Sequence, residues 1–290
     1  MVTGAESIPS TSAYELLRLV RPRQWIKNTF VLAPLVFARA YLDSGSIKNE
    51  LIAFVLFCVA SSASYIVNDL RDIERDRRHP VKKSRRPLAA GTVTPRAALI
   101  LLAILYCVLM AGWLWSPAAM LPICGYVLLN LAYSYWLKEQ PVVDIFTVAS
   151  GFVLRVYAGA EAIGVPLSMW MAITTLCLAL YLAAIKRRQE LGSIGTASRE
   201  VLQNYSVALV DRYAEMSATG ALVFYSLFVI STNAKLSITI PLVLFGLYRY
   251  WYLVEARDGG ESPTDVILTD WPMGIVVLLW IGACVAALWP

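Results

Sequence analysis

"LIAFVLFCVASSASYIVNDLRDIERD" (residues 51–76) runs seventeen almost uncharged residues, Leu51–Val67, straight into a dense block of charge. Residues 67–91 hold four acids and eight bases. An apolar run that ends in charge reads as a membrane helix whose last turns emerge at the headgroups. On such a helix Asn68, Asp72 and Asp76 recur at i, i+4 and i+8, so they form one column of oxygen ligands roughly 6 Å apart. Asp69 borders the same face.

Hard oxygens without His or Cys suit Mg²⁺, which takes one or two carboxylates and completes its shell with substrate phosphate and water. The bases that follow, Lys82, Lys83, Arg85 and Arg86, suit the rest of a phosphate's charge. Pro80 and Pro87 break the helix and let this loop fold back over the column. A basic run alone also fits a solvated face that attracts anionic lipid. The acids ahead of it favour a site, because three oxygen ligands on one face repel unless a cation joins them.

Composition narrows the class. Apolar residues make up 58% and mean hydropathy is +0.61, against about 45–50% apolar in soluble domains. The five cysteines lie in apolar runs with no metal-type spacing and read as small hydrophobes. His79 is the only histidine, which leaves little room for a serine triad or a histidine metal site. Residues 1–16 are polar and end in no A-x-A site, so no cleaved signal peptide is expected.

Nine apolar segments are long enough to span, centred on 24–42, 50–67, 97–115, 117–136, 142–160, 166–185, 215–233, 236–254 and 271–289. Lys27 and Arg39 interrupt the first. The chain is therefore expected to be one all-α integral membrane domain over 1–290, with a cytoplasmic segment at 1–20 and polar loops at 68–96 and 186–214. Arg18, Arg21, Arg23 and Lys27 precede or open the first span, and nine bases fall between Arg71 and Arg96. Lys138 lies in the fourth-to-fifth loop; Lys186, Arg187, Arg188, Arg199 and Arg212 lie in the sixth-to-seventh. The alternate loops hold only Lys48 and Lys235, so the basic side is expected to be cytoplasmic. The net +5 points to membrane and phosphate; no basic groove interleaved with aromatics suggests nucleic acid.

Similar chemistry recurs at the other basic ends. "RPRQWIKN" (21–28) offers Arg21, Lys27 and Asn28; "NLAYSYWLKEQPVVD" (130–144) offers Tyr133, Lys138 and Asp144; "YLAAIKRRQEL" (181–191) offers Lys186, Arg187 and Glu190. Trp25, Tyr133 and Trp136 also suit an interfacial aromatic belt. Asp144 and Arg155 are ionisable residues inside a span, eleven apart and so on one face, and are expected to pair or to line a site.

"NDLRDIERD" (68–76) resembles the NDxxDxxxD motif of the UbiA superfamily of intramembrane prenyltransferases, and the span count and polar loops extend the resemblance over the whole chain. "RPRQWIKN", "PVVDIFTVASGFVLRVYAGA" (141–160) and "IKRRQEL" (185–191) most resemble the phosphoribosyltransferase branch that acts on decaprenyl phosphate. The resemblance implies nine helices around a cavity capped by cytoplasmic loops, with Asn68, Asp69, Asp72 and Asp76 at Mg²⁺. Prenyltransferases of the superfamily carry a second DxxxD motif in the sixth-to-seventh loop; here that place holds Lys186 and Glu190.

What the branch implies is transfer of 5-phosphoribose from 5-phosphoribosyl 1-diphosphate to a polyprenyl phosphate, for cell-envelope pentose donors, on the cytoplasmic side of a bacterial-type plasma membrane. Asp72, Asp76 and Lys186 would act at the reacting groups. Arg21, Lys27, Asn28, Lys82, Lys83, Arg85, Arg86, Tyr133, Lys138, Asp144, Arg187 and Glu190 would hold phosphates or order the site. A homo-oligomer is compatible with all of this. Two rivals remain: a prenyltransferase moving a polyprenyl chain from its diphosphate to an aromatic or other acceptor, and a transporter or lipid-binding protein. The second rival fits less well, since transporters place ionisable groups near mid-bilayer and show repeats or broken helices.

Overall fold

The computed structural model describes residues 12–78, 82–193, 200–257 and 269–289, and the regular elements among them are all helical. Helix α1 (Ala13–Val20) starts on the Ser12 side chain and stops where Arg21 turns left-handed, at φ 57°. A 3₁₀ segment, Pro22–Leu32, follows and passes directly into α2 (Ala33–Phe37). The long α3 (Ser44–Arg71) is capped by the Asp43 carboxylate, which accepts from the Ser46 N–H at 2.7 Å. Short helices α4 (Ile73–Arg78), α5 (Lys82–Arg85) and α6 (Pro87–Ala90) form the polar loop. The remaining helices are α7 (Pro95–Trp115), α8 (Pro117–Tyr135), α9 (Val143–Ala162), α10 (Met169–Ser193), α11 (Val207–Thr232), α12 (Ile240–Arg257) and α13 (Trp271–Leu288).

Eight helices among the described residues are long and apolar enough to cross a membrane, which makes this a multi-pass membrane protein. The expected first span, 24–42, is not one of them. Pro34 removes a ladder donor within the segment, which winds as a 3₁₀ helix and then about one and a half α turns. It still runs the length of α3 in the opposite direction. Arg21 meets Asp69 near the end of α3, Trp25 bonds Ser62, and Asn28 bonds Ser61. A 3₁₀ helix rises about 2.0 Å per residue, so Pro22–Phe37 covers about 30 Å, the thickness of the hydrocarbon core. The segment therefore has the length of a crossing, but as a broken helix and not a continuous one.

Its fit depends on one glycine. A Cβ on Gly159 of α9 would stand 1.9 Å from the Val31 carbonyl oxygen and 2.9 Å from Glu50 Oε1. The absence of that carbon lets the broken segment lie against α9. Val31, Phe57, Met120, Ile123 and Ala158 bury together there, joining the segment to α3, α8 and α9. A second cluster around Tyr181, Ile185, Leu202, Tyr250 and Val254 ties α10 to α11 and α12. Helix α7 instead turns Leu99, Ile100, Ile104, Met110 and Leu114 outward, as a lipid-facing helix does. All five cysteines are free thiols; Cys58 and Cys284 are buried, but Cys107 is exposed on α7.

Candidate active site

Twenty-eight residues make α3 about 42 Å long, which exceeds the hydrocarbon core by about two turns. Asn68 and Asp69 lie on the surplus, and Asp72 caps it. Although α3 is interrupted at Asp72, the main-chain bonds carry through: Asp72 N–H donates to Asn68 at 3.0 Å and Asp76 N–H to Asp72 at 2.8 Å. The column read from the spacing therefore exists across the break.

Each acid of the column meets a base. Asp69, 1% exposed, accepts from Arg21 at 2.5 and 2.6 Å and from Arg86 at 2.8 Å. Arg86 also pairs with the buried Asp76. Lys138 bonds Asp72 at 2.6 Å. The repulsion expected of the acids is relieved by these three cations. Arg86 lies just before Pro87, so the loop does fold back onto the column as expected. Pro80 and His79 lie outside the described residues, as does the side chain of Lys82. Lys83 and Arg85 point to solvent, and Arg18 reaches the Arg85 carbonyl.

A second network stands at the start of α9. Asp144 is fully buried; its Oδ2 accepts from Arg187 Nε at 2.6 Å and its Oδ1 from the Tyr205 hydroxyl at 2.7 Å. Arg187 reaches on to Glu190 at 2.7 Å and to the Tyr133 hydroxyl at 3.3 Å. Lys186, its chain neighbour, is exposed. Residues 133–144 bridge the two networks, since Tyr133 and Asp144 belong to the second and Lys138 to the first. Lys27 is half-buried on the 3₁₀ segment.

The expected pairing of Asp144 with Arg155 does not occur. Eleven residues of helix separate them by about 16 Å along the axis, so sharing a face does not bring them into contact. Arg155 is instead bonded by its Nε to Asn28 Oδ1 at 2.9 Å and by its Nη2 to the Tyr126 hydroxyl at 3.1 Å. The rings of Phe57, Tyr126 and Phe152 surround its guanidinium. Asn28 is wholly buried between Ser61 and Arg155. Tyr205 was not legible as a site residue, because a tyrosine in a polar loop carries no spacing signal.

Among the described residues no three His, Cys, Asp or Glu side chains converge closely enough to hold a metal by themselves. The donor chemistry nevertheless fits a hard cation that shares its shell with a phosphate: Asp72 and Asp76 are one turn apart, and Asp72 is partly open.

Comparison with known proteins agrees with this architecture. Residues 31–266 match the UbiA prenyltransferase family, and the chain belongs to that family. Within it, the chain is similar to the decaprenyl-phosphate phosphoribosyltransferase of Mycolicibacterium smegmatis, 33% identical over 97% of this chain and 94% of that one. The decaprenyl-phosphate phosphoribosyltransferase of Corynebacterium glutamicum is 35% identical over 97% of this chain and 89% of its own. The fold is shared with a UbiA homolog from Archaeoglobus fulgidus, solved bound to DMAPP and Mg²⁺, with a TM-score of 0.71 and 21% identity over 94% of this chain and 98% of that one.

Proposed function

We propose that this protein transfers 5-phosphoribose from 5-phosphoribosyl 1-diphosphate to a polyprenyl phosphate in the membrane. The observation that carries the reading is the near full-length similarity to decaprenyl-phosphate phosphoribosyltransferases. The site supports it: where a second aspartate pair would stand in a prenyltransferase, this chain has Lys186 and Glu190 beside the buried Arg187.

In the reaction an oxygen of the lipid phosphate bonds to C1 of the ribose while the C1–O bond to diphosphate breaks. The attacking phosphate is already an anion, so the step needs no protein base. Asp72 and Asp76, with Asn68 beside them, are the residues that would hold Mg²⁺, whose charge would offset that gathering on the leaving diphosphate. Asp69 serves differently. Its oxygens are taken by Arg21 and Arg86, so it fixes those guanidiniums at the column. Lys27, Lys138, Lys186 and Arg187 hold the other phosphates and orient the reactants. The site faces the cytoplasm of a bacterial-type plasma membrane, where soluble sugar phosphate and lipid phosphate meet. The product suits the supply of pentose units to envelope glycans.

The test uses purified protein in detergent with labelled 5-phosphoribosyl 1-diphosphate. Label should enter the lipid phase, and diphosphate should be released, only when polyprenyl phosphate and Mg²⁺ are both present. Consumption of a polyprenyl diphosphate with an aromatic acceptor, without labelled lipid, would establish the prenyltransferase reading instead.

A further inference from the structure

Directly before α9 the backbone does something costly. Val142 has φ 67° and ψ −45°, and the Val143 N–H donates to the Pro141 carbonyl at 2.8 Å. Those are the angles and the bond of a γ-turn with positive φ, a rare and strained form. A β-branched residue is among the least suited to it. Such strain persists only where the surroundings hold it in place.

Two main-chain bonds of the helix start flank the turn, Asp144 N–H to the Gln140 carbonyl and Phe146 N–H to the Val142 carbonyl, both at 3.1 Å, and one side-chain hydroxyl holds the Val142 N–H. Tyr205 accepts from the Val142 N–H at 2.6 Å and donates to Asp144 Oδ1 at 2.7 Å. Its ring is packed in the cluster with Tyr181, Ile185 and Leu202, so the hydroxyl is itself fixed. Burial, and then the adjacent Asp144 carboxylate, push the phenol well above its ordinary pKa, so it stays a donor at any physiological pH. Asp144 is wholly buried and divides its two oxygens between Tyr205 and Arg187.

We propose that Tyr205 is a positioning residue: it clamps the strained turn at Val142, and the turn sets the Asp144–Arg187 pair that orders one phosphate-binding wall. The proposal rests on the phosphoribosyl-transfer reading for its catalytic consequence, although not for the clamp itself. Without the hydroxyl, Val142 relaxes to negative φ. The first turn of α9 then shifts, and Arg187 loses its fixed direction.

Two variants test it, Tyr205→Phe and the double variant Tyr205→Phe with Val142→Gly. Tyr205→Phe keeps the ring and its packing. Glycine adopts positive φ without steric cost, so in the double variant the turn holds without its clamp. For Tyr205→Phe, faster amide exchange confined to residues 142–147 is expected. The KM of one phosphate substrate should rise about tenfold or more, the worth of a hydrogen bond to a charged group, while the other stays unchanged. Both effects should recede in the double variant, except at the amide of residue 142 itself, whose acceptor is gone in both variants.

Wild-type exchange and kinetics in Tyr205→Phe overturn the proposal. So does an effect that Val142→Gly leaves untouched, which would make Tyr205 a direct partner of Asp144 only. Loosening spread through α9 to α11 with a lowered Tm reduces Tyr205 to packing and also overturns it. If the wild-type protein transfers no phosphoribose, the functional reading fails, yet the exchange pattern of the two variants still decides the clamp.

Discussion

Lys138 Nζ sits 2.6 Å from Asp72 Oδ1, a buried ammonium against a partly open carboxylate, and this pair joins the loop after α8 to the end of α3. The relationship couples the two properties that mutation can separate. In the proposed mechanism Asp72 serves the reaction, whereas Lys138 needs Asp72 as a counter-charge.

Asp72→Asn is therefore expected to act twice. Turnover should fall by about 10²-fold or more, in line with losing a principal electrostatic contact at the transition state. Stability should fall as well, by about 3 kcal/mol, because a buried lysine is left without its partner. Adding Lys138→Met removes the stranded charge, so Tm should recover while turnover does not. A double variant no more stable than Asp72→Asn would show that the pair carries no structural weight.

Chelation tests the acidic column from the ligand side. Removing divalent ions should abolish labelled-lipid formation, and Mg²⁺ should restore it. A rise in Tm on adding Mg²⁺ together with 5-phosphoribosyl 1-diphosphate should require both Asp72 and Asp76, since binding to the folded state stabilises it. The same rise in Asp72→Asn and Asp76→Asn would remove the column from metal binding.

How much of this was readable in the chain depends on the range of the contact. The long crossings announce themselves because about 20 apolar residues are enough to define each of them. The column Asn68, Asp72, Asp76 was legible because its members are one turn apart. The broken segment was seen only as a flawed span, since its place against α9 and α3 depends on Gly159 and on the contacts of Asn28 and Trp25, which are distant in sequence. Asp144 with Arg187, 43 residues apart, has no local signature, and the same-face rule chose Arg155 instead. Arg86 was expected to grip phosphate; its pairing with Asp69 and Asp76 was not legible, because it requires the loop to close.

The span of α3 yields a sidedness prediction. Single cysteines introduced at Ser46 and Lys83, in a cysteine-free background, should be labelled by a membrane-impermeant maleimide from opposite faces. Ser46 should react from outside and Lys83 only after the membrane is opened. A reporter at the C-terminus should share the side of Ser46. Labelling of Ser46 and Lys83 from one face would mean that α3 does not span.

Gly159→Ala places a carbon 1.9 Å from a main-chain oxygen, where no rotamer change gives relief. The cost should exceed the usual 1–3 kcal/mol or so of an overpacked core and leave little folded protein in detergent extracts. Gly220→Ala makes the contrast: its Cβ would meet Cys177 Sγ at 3.1 Å, a side-chain atom able to move aside. Size-exclusion profiles of the two variants should differ plainly. Normal yield and Tm for Gly159→Ala would mean that the segment does not lie against α9 at Val31.

The charge at position 186 separates the two enzyme readings. Lys186 is exposed beside the fixed Arg187, and the proposed mechanism gives it a phosphate to meet. Lys186→Ala should weaken phosphoribosyl transfer by removing one counter-charge. Lys186→Asp should be worse, because it sets an anion against the same phosphate. Arg187→Ala should differ from both by lowering Tm, since Asp144 is left buried without its cation. A site that bound a second metal would reverse the first two, with Asp at 186 supplying a ligand and Ala supplying none. Initial rates of labelled-lipid formation at saturating Mg²⁺ give the order directly, and an order of Asp above Ala would turn the assignment toward a prenyl diphosphate donor.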